Sequence, residues 1–255
     1  MIRTEKPGGH VAVVTFDDPK IRNAMTAENR EELRSALDAL AGDDDIHAVV
    51  LTGAGGHFCA GGDVRTMGET DIAKIDERMG DVARTAEQLA VFPKLTLAAV
   101  SGHAAGAGVS IACLTDMVVA DETAQFTFSF LKLALGPDWG LTATLARRVG
   151  ATAAKRLILS RATIDGREAH RLGLADDVTP EGKAPDRAVE LASALANGPM
   201  AAIAAIKTQI SGIEDLRAAL QAEAAQQRAR FSHAEHQEGA AAFREKRRPD
   251  FSGKS

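Results

Sequence analysis

The sequence predicts an α/β core followed by an all-helical C-terminal region, on three observations. Short apolar runs alternate with amphipathic stretches through roughly the first 180 residues. Residues 96–121 pass from an apolar strand through a glycine-rich turn into a small-residue helix and a second strand, the layout of a parallel crossover. From about residue 185 every periodic stretch has helical spacing and none has strand spacing. The α/β core is therefore placed at 1–185 and the helical region at 186–255.

Taken in order, residues 10–16 alternate as a first strand, and Pro19 ends it. Thr26 is placed to cap a helix running to about residue 41, with Leu33, Ala36, Leu37 and Leu40 on its apolar face. A short buried strand is expected at 46–51, then a glycine-rich loop at 52–64 and a polar helix to about 91. The central unit follows: strand 96–100, a turn at Ser101 and Gly102, the small residues Gly106, Ala107 and Gly108, helix 109–115 and strand 117–120. A further strand through Phe130 is expected to meet the preceding one across a tight connection. A helix starting near Trp139 stops at Gly150, and residues 151–175 make two short helices. The helical region ends in a long helix over 213–231.

Composition narrows the function. The 255 residues are 45% hydrophobic, enough for a large core, and the net charge of −5 is spread without a basic stripe, so no nucleic-acid partner is indicated. No apolar run reaches the roughly 18 residues of a membrane span, and the N-terminus lacks the apolar centre of a signal peptide. The expectation is a cytoplasmic protein without membrane partners. Cys59 and Cys113 have neither metal-ligand nor redox-pair spacing and are expected to be packed thiols.

The loop at 106–108 would deliver backbone N–H groups at a helix N-terminus, where negative charge is favoured. A phosphate-binding loop would need a Lys after the glycines, and a dinucleotide fingerprint a different glycine order. An oxyanion hole needs only two converging N–H groups. Close packing of helix on strand through small residues stays open beside it.

Four segments then resemble one family, the crotonase or enoyl-CoA hydratase/isomerase superfamily, over nearly the whole chain: DPKIRNAM at 18–25, GAGGHFCAGGDV at 53–64, AVSGHAAGAGVSIACLTDMVVAD at 99–121 and EGAAAFREKRRPDF at 238–251. The resemblance implies a spiral of strand–strand–helix turns with a C-terminal helical region that builds trimers, often paired as hexamers. It implies an acyl-CoA thioester substrate and no cofactor, coenzyme A being part of the substrate. It places the oxyanion-hole N–H groups on Gly62 and Ala107. Lys20, Ile21, Arg22, Ala60, Asp63, Phe243 and Lys246 are placed along coenzyme A.

The sequence departs from the hydratase pattern where that pattern places two acids: Ser110 and Phe130 stand there. The remaining family-relevant carboxylate is Asp138, which in several isomerases of the superfamily moves a proton along the acyl chain. A helix cap before Trp139 is the plain alternative for it. Ser110, Phe130 and Trp139 are expected in the pocket wall. The favoured reaction is a proton shift on an enoyl-CoA, with hydration or other crotonase chemistry as alternative. Two other classes stay open: an acyl-CoA binding protein without catalysis, and a serine hydrolase using Ser110, Asp138 and His170.

Overall fold

The computed structural model describes residues 1–252. Two strands open the chain, β1 (Ile2–Gly8) and β2 (Val11–Phe16), followed by α1 (Ala27–Ala41) and β3 (Ala48–Gly53). Next come α2 (Ile72–Ala90), β4 (Leu95–Val100), β5 (His103–Ala105), α3 (Ala107–Leu114), β6 (Met117–Asp121) and β7 (Gln125–Thr127). Then follow α4 (Leu141–Val149), α5 (Ala151–Leu159), β8 (Thr163–Asp165), α6 (Gly166–Leu172) and β9 (Asp177–Thr179). The chain closes with α7 (Ala184–Ala196), α8 (Met200–Ile210), α9 (Ile213–Phe231) and α10 (Ala234–Arg244). No single helix among the described residues is long and apolar enough to cross a membrane.

The main sheet has the order β1-β2-β3-β4-β6-β9, parallel except for β1, and a small sheet pairs β5, β7 and β8. In the main sheet β2, β3, β4 and β6 are buried on both faces, which is why they are continuous apolar runs. Side chains alternate between two cores: Val14, Val49, Leu51, Ala98, Val100 and Val118 face the larger, and Val11, Ala48, Val50, Leu97, Ala99 and Val119 the smaller. The smaller core is closed by α7, whose Ala184, Ala188, Ala192 and Ala196 form one stripe at i,i+4 spacing. Without large side chains in that stripe, the helix lies close against the sheet.

Four sequence expectations are corrected. The chain opens with an additional edge strand, β1, which carries no apolar alternation because it is polar and contains Pro7, both tolerated on an edge. The strand expected through Phe130 stops at Thr127; Phe130–Leu133 is a 3-10 turn, and β7 lies in the small sheet instead of meeting β6. Trp139 does not start a helix: Trp139 (φ 61°) and Gly140 (φ 75°) are both left-handed, and α4 begins at Leu141. The boundary at 185 falls inside α7, which closes a core of the sheet, and Leu216 and Leu220 of α9 belong to the larger core.

Asp121, at the end of β6, anchors α7. Its carboxylate, 1% exposed, accepts from the N–H groups of Gly182 (2.9 Å), Lys183 (3.1 Å) and Ala184 (2.8 Å), and from the Thr179 hydroxyl (3.2 Å). These N–H groups belong to the entry into α7, where no helical carbonyl is available to them. Asp121→Ala leaves the buried Ala184 N–H unmet and removes three further hydrogen bonds, and is expected to cost about 3 kcal/mol in denaturant unfolding. A loss below about 1 kcal/mol would show that α7 holds its place by alanine packing alone.

Candidate active site

Two loops leave the same edge of the sheet, one after β3 and one after β4, and hydrogen bonds join them. Phe58 N–H donates to the Ser101 carbonyl (2.9 Å), Cys59 N–H to His103 (3.0 Å), and Ala105 N–H to the Cys59 carbonyl (2.9 Å). Phe58, Cys59 and Ala104 are fully buried. Gly108 is required where α3 crosses this seam, since a Cβ there would overlap the Cys59 carbonyl oxygen. Gly106 turns the chain into α3 at φ 50°, ψ −115°, a conformation reserved in practice for glycine.

The result is that Gly62 and Ala107 line one cavity of about 90 Å³. Ala107 is the first residue of α3, so its N–H belongs to the unpartnered first turn of the helix. Among the described residues neither N–H has an acceptor. Phe130, Asp138, Arg78 and Phe231 complete the working part of the wall, and Ala60 and the exposed Phe243 also line it.

Asp138 is the one carboxylate among the described lining residues. It is not a helix cap. That task falls to Glu223 of α9, whose carboxylate accepts from Gly140 N–H (2.7 Å), Thr142 N–H (2.9 Å) and the Thr142 hydroxyl (2.6 Å). Gln226 and Gln227 hold the same loop through the N–H (3.2 Å) and carbonyl (2.8 Å) of Gly136. Asp138 is thus held by its backbone while its Oδ1 is buried without a hydrogen-bond partner among the described residues. Burial pushes its carboxyl up to about 6; the Arg78 guanidinium pulls the other way and Glu223 pushes it further up.

The remaining expected residues divide. Ser110 and Trp139 are buried behind the wall and do not line the cavity; the Ser110 hydroxyl donates back to the Gly106 carbonyl (3.3 Å) inside α3. His170 is engaged with the Ala175 carbonyl (3.1 Å), so it forms no relay with Ser110. Arg22 and Ala60 are brought together by Ala60 N–H donating to the Arg22 carbonyl (2.9 Å), with Ile21 closing the adjacent 3-10 turn. Lys20 and Lys246 are exposed. Asp63 accepts from Arg65 (2.9 Å), and this bond holds its carboxyl below the usual range. Glu223, Gln226, Gln227 and Arg78 were not singled out from sequence; the available signal was the spacing of Leu216, Leu220, Glu223, Gln227 and Phe231 along one buried face of α9. The thiols of Cys59 and Cys113 are free and buried, pushed up to about 12 and about 11.

Two main-chain N–H groups without acceptors and one carboxylate line the same cavity, and these are the groups that stabilising an enolate oxygen requires. The family model described as Enoyl-CoA hydratase/isomerase matches residues 6–254. The chain belongs to the enoyl-CoA hydratase/isomerase family. It is 36% identical to the 2,3-dehydroadipyl-CoA hydratase of Escherichia coli (strain K12) over 250 residues, 96% of each chain. It is 34% identical to the 1,2-epoxyphenylacetyl-CoA isomerase of the same strain over 250 residues, 96% of this chain and 95% of that one. A crystal structure of an enoyl-CoA hydratase from Mycobacterium avium subsp. paratuberculosis K-10 superposes with a TM-score of 0.88 at 30% identity, covering 98% of both chains. Members of this family act on acyl-CoA thioesters, and the fold is the crotonase fold.

The raised carboxyl of Asp138 has a stability consequence. Its folded value lies above its ordinary 3.8, so the neutral form is favoured by folding; that stability is complete below about pH 4 and lost as pH rises through about 6. Asp138→Asn stays neutral throughout. The variant is expected to gain on the wild type by up to about 3 kcal/mol between pH 4 and pH 7. A difference in melting temperature that does not change with pH would show that Asp138 is not held in an apolar site.

Proposed function

We propose that this enzyme moves a proton on an enoyl-CoA thioester, with Asp138 taking the proton from one carbon and returning it to another. The observation that carries this reading is that, among the described residues, Asp138 is the one carboxylate lining the cavity that Gly62 and Ala107 also line. With the thioester oxygen between the two N–H groups, charge arriving on that oxygen meets main-chain donors, one at a helix N-terminus. The α proton of a β,γ-enoyl group, or the γ proton of an α,β-enoyl group, then becomes acidic enough for a carboxylate near pH 6 to accept it. Hydration needs a second group to position water. Phe130 stands in the wall, Ser110 is spent on Gly106 and Glu223 is committed to α4, which favours isomerisation over hydration here.

The same reading places coenzyme A along Lys20, Ile21, Arg22, Ala60, Asp63, Phe243 and Lys246, and needs no further cofactor. It also includes a trimer or a pair of trimers: Ile206 and Ile210 on α8 are 55% and 75% exposed, an apolar surface suited to a second copy. Two free buried thiols suit the cytoplasm.

The reaction is tested by incubating the protein with a panel of enoyl-CoA thioesters in deuterated water and reading deuterium at the α and γ carbons by mass spectrometry. Isotope exchange and double-bond migration are expected, falling at least about 100-fold in Asp138→Asn. Full activity in that variant would move the catalytic group elsewhere; formation of the 3-hydroxyacyl product as the main outcome would favour hydration. For assembly, light scattering at micromolar concentration should give three or six times the chain mass, and a monomer would remove that part of the reading.

A further inference from the structure

Arg78 projects from the middle of α2 into the cavity that holds Gly62, Ala107 and Asp138. It is half-buried, and its contacts are slight: one hydrogen bond to the Thr66 hydroxyl (3.1 Å), and the Phe231 ring with its centroid at 5.1 Å. The neighbouring cations are engaged. Arg30 and Arg34 share Asp81, Arg84 reaches the same carboxylate at 3.4 Å, Arg228 pairs with Asp76 (3.0 Å) and Lys74 with Glu69 (3.5 Å). The acids around Arg78 are engaged as well: Asp63 with Arg65, Glu223 with the start of α4. Asp138 attracts Arg78 electrostatically but forms no ion pair with it among the described residues. A guanidinium removed from water beside an aromatic face, without a carboxylate, is costly. It presents an unfilled planar fork of donors to the cavity.

We propose that Arg78 is a specificity residue whose guanidinium receives a carboxylate carried by the acyl group, so that the substrate class is an acyl-CoA whose acyl part ends in a carboxylate. This rests on the acyl-CoA reading above and deepens it. The position of Arg78 decides which anion it meets. A Cβ built on Gly62 would lie 3.6 Å from Arg78 Nη2, so the guanidinium stands beside a donor for the thioester oxygen. The phosphates of coenzyme A are separated from the sulfur by the whole pantetheine arm, whereas the acyl chain starts at the thioester carbon. Arg78 and Phe231 are also shared with a second cavity of about 610 Å³ between α1 and α2. An acyl chain leaving the small cavity in that direction meets Arg78 first. If Arg78 served only to set the proton affinity of Asp138, it would act alike on every acyl group; a carboxylate receptor discriminates between them.

The test is calorimetric binding of matched saturated thioesters: butyryl-CoA against succinyl-CoA, and hexanoyl-CoA against adipyl-CoA. In the wild type the carboxylate-bearing member of at least one pair should bind about 10- to 100-fold more tightly. That ratio should fall to about one in Arg78→Gln and be partly retained in Arg78→Lys. Equal binding within both pairs by the wild type overturns the inference and leaves the acyl-CoA reading standing. Binding of none of the four overturns both. A wild-type preference that survives intact in Arg78→Gln shows that another residue reads the carboxylate. Should the Gln variant not fold, the wild-type ratios and the Lys variant decide the matter.

Discussion

The seam of backbone hydrogen bonds between residues 58–59 and 101–105 is the constraint on which the rest of this site depends. Parallel neighbours β3 and β4 end at the same edge, so the loops that follow them start side by side. The three hydrogen bonds at the seam then fix how the loops run. Buried Phe58 and Cys59 leave no room for slippage, and Gly108 lets α3 press against the seam. The N–H groups of Gly62 and Ala107, the proposed oxyanion donors, are main-chain groups on this frame. Their geometry is therefore independent of the side chains that differ from the hydratase pattern, Ser110 and Phe130.

The proposed acid, Asp138, is supplied by a separate device. The loop carrying Asp138 contains two successive left-handed residues and would be poorly defined alone. Glu223, Gln226 and Gln227 of α9 take up its N–H and carbonyl groups and leave the Asp138 side chain uncommitted. The division of labour is electrostatic as well as geometric. Burial raises the carboxyls of both Glu223 and Asp138; at Glu223 the donors on Gly140 and Thr142 counter it in part, whereas Asp138 lines the cavity with an unpartnered Oδ1. Burial outweighs the Arg78 charge and a backbone hydrogen bond and raises the proton affinity of Asp138 to about 6, the range suited to the proposed taking and giving of a proton.

What could be read from the sequence follows from how strongly each feature constrains residue choice. Gly106 and Gly108 are forced by a left-handed turn and a close approach, and such positions leave a visible trace. The α1 helix was legible through Thr26, whose hydroxyl accepts from Asn29 N–H (3.1 Å), and through its apolar stripe. The strands β5, β7 and β8 are three residues each, too short for a period to show. Glu223 and Arg78 were hidden for a different reason: a polar residue in an amphipathic helix has the same sequence signature whether it faces solvent or a cavity. Only the packing of α9 and α2 separates the two cases. For Asp138 the sequence leaves cap and catalyst open; in the structure Glu223, not Asp138, caps α4.

The burial of Cys59 carries one more consequence. Its sulfur lies one residue from Ala60 in the cavity wall, beside Gly61, whose N–H approaches the sulfur at 3.5 Å. A thiolate there would be a competing nucleophile: it could attack the thioester carbonyl, take the acyl group as an acyl-cysteine and release free coenzyme A. With the thiol pushed up to about 12, only about one molecule in 10⁵ carries a thiolate at pH 7. Full burial also withholds the sulfur from the bound ligand. With the thioester in its proposed place, the packing that holds the two loops thus also protects the enzyme from self-acylation, a side reaction inherent in placing a cysteine near an activated thioester.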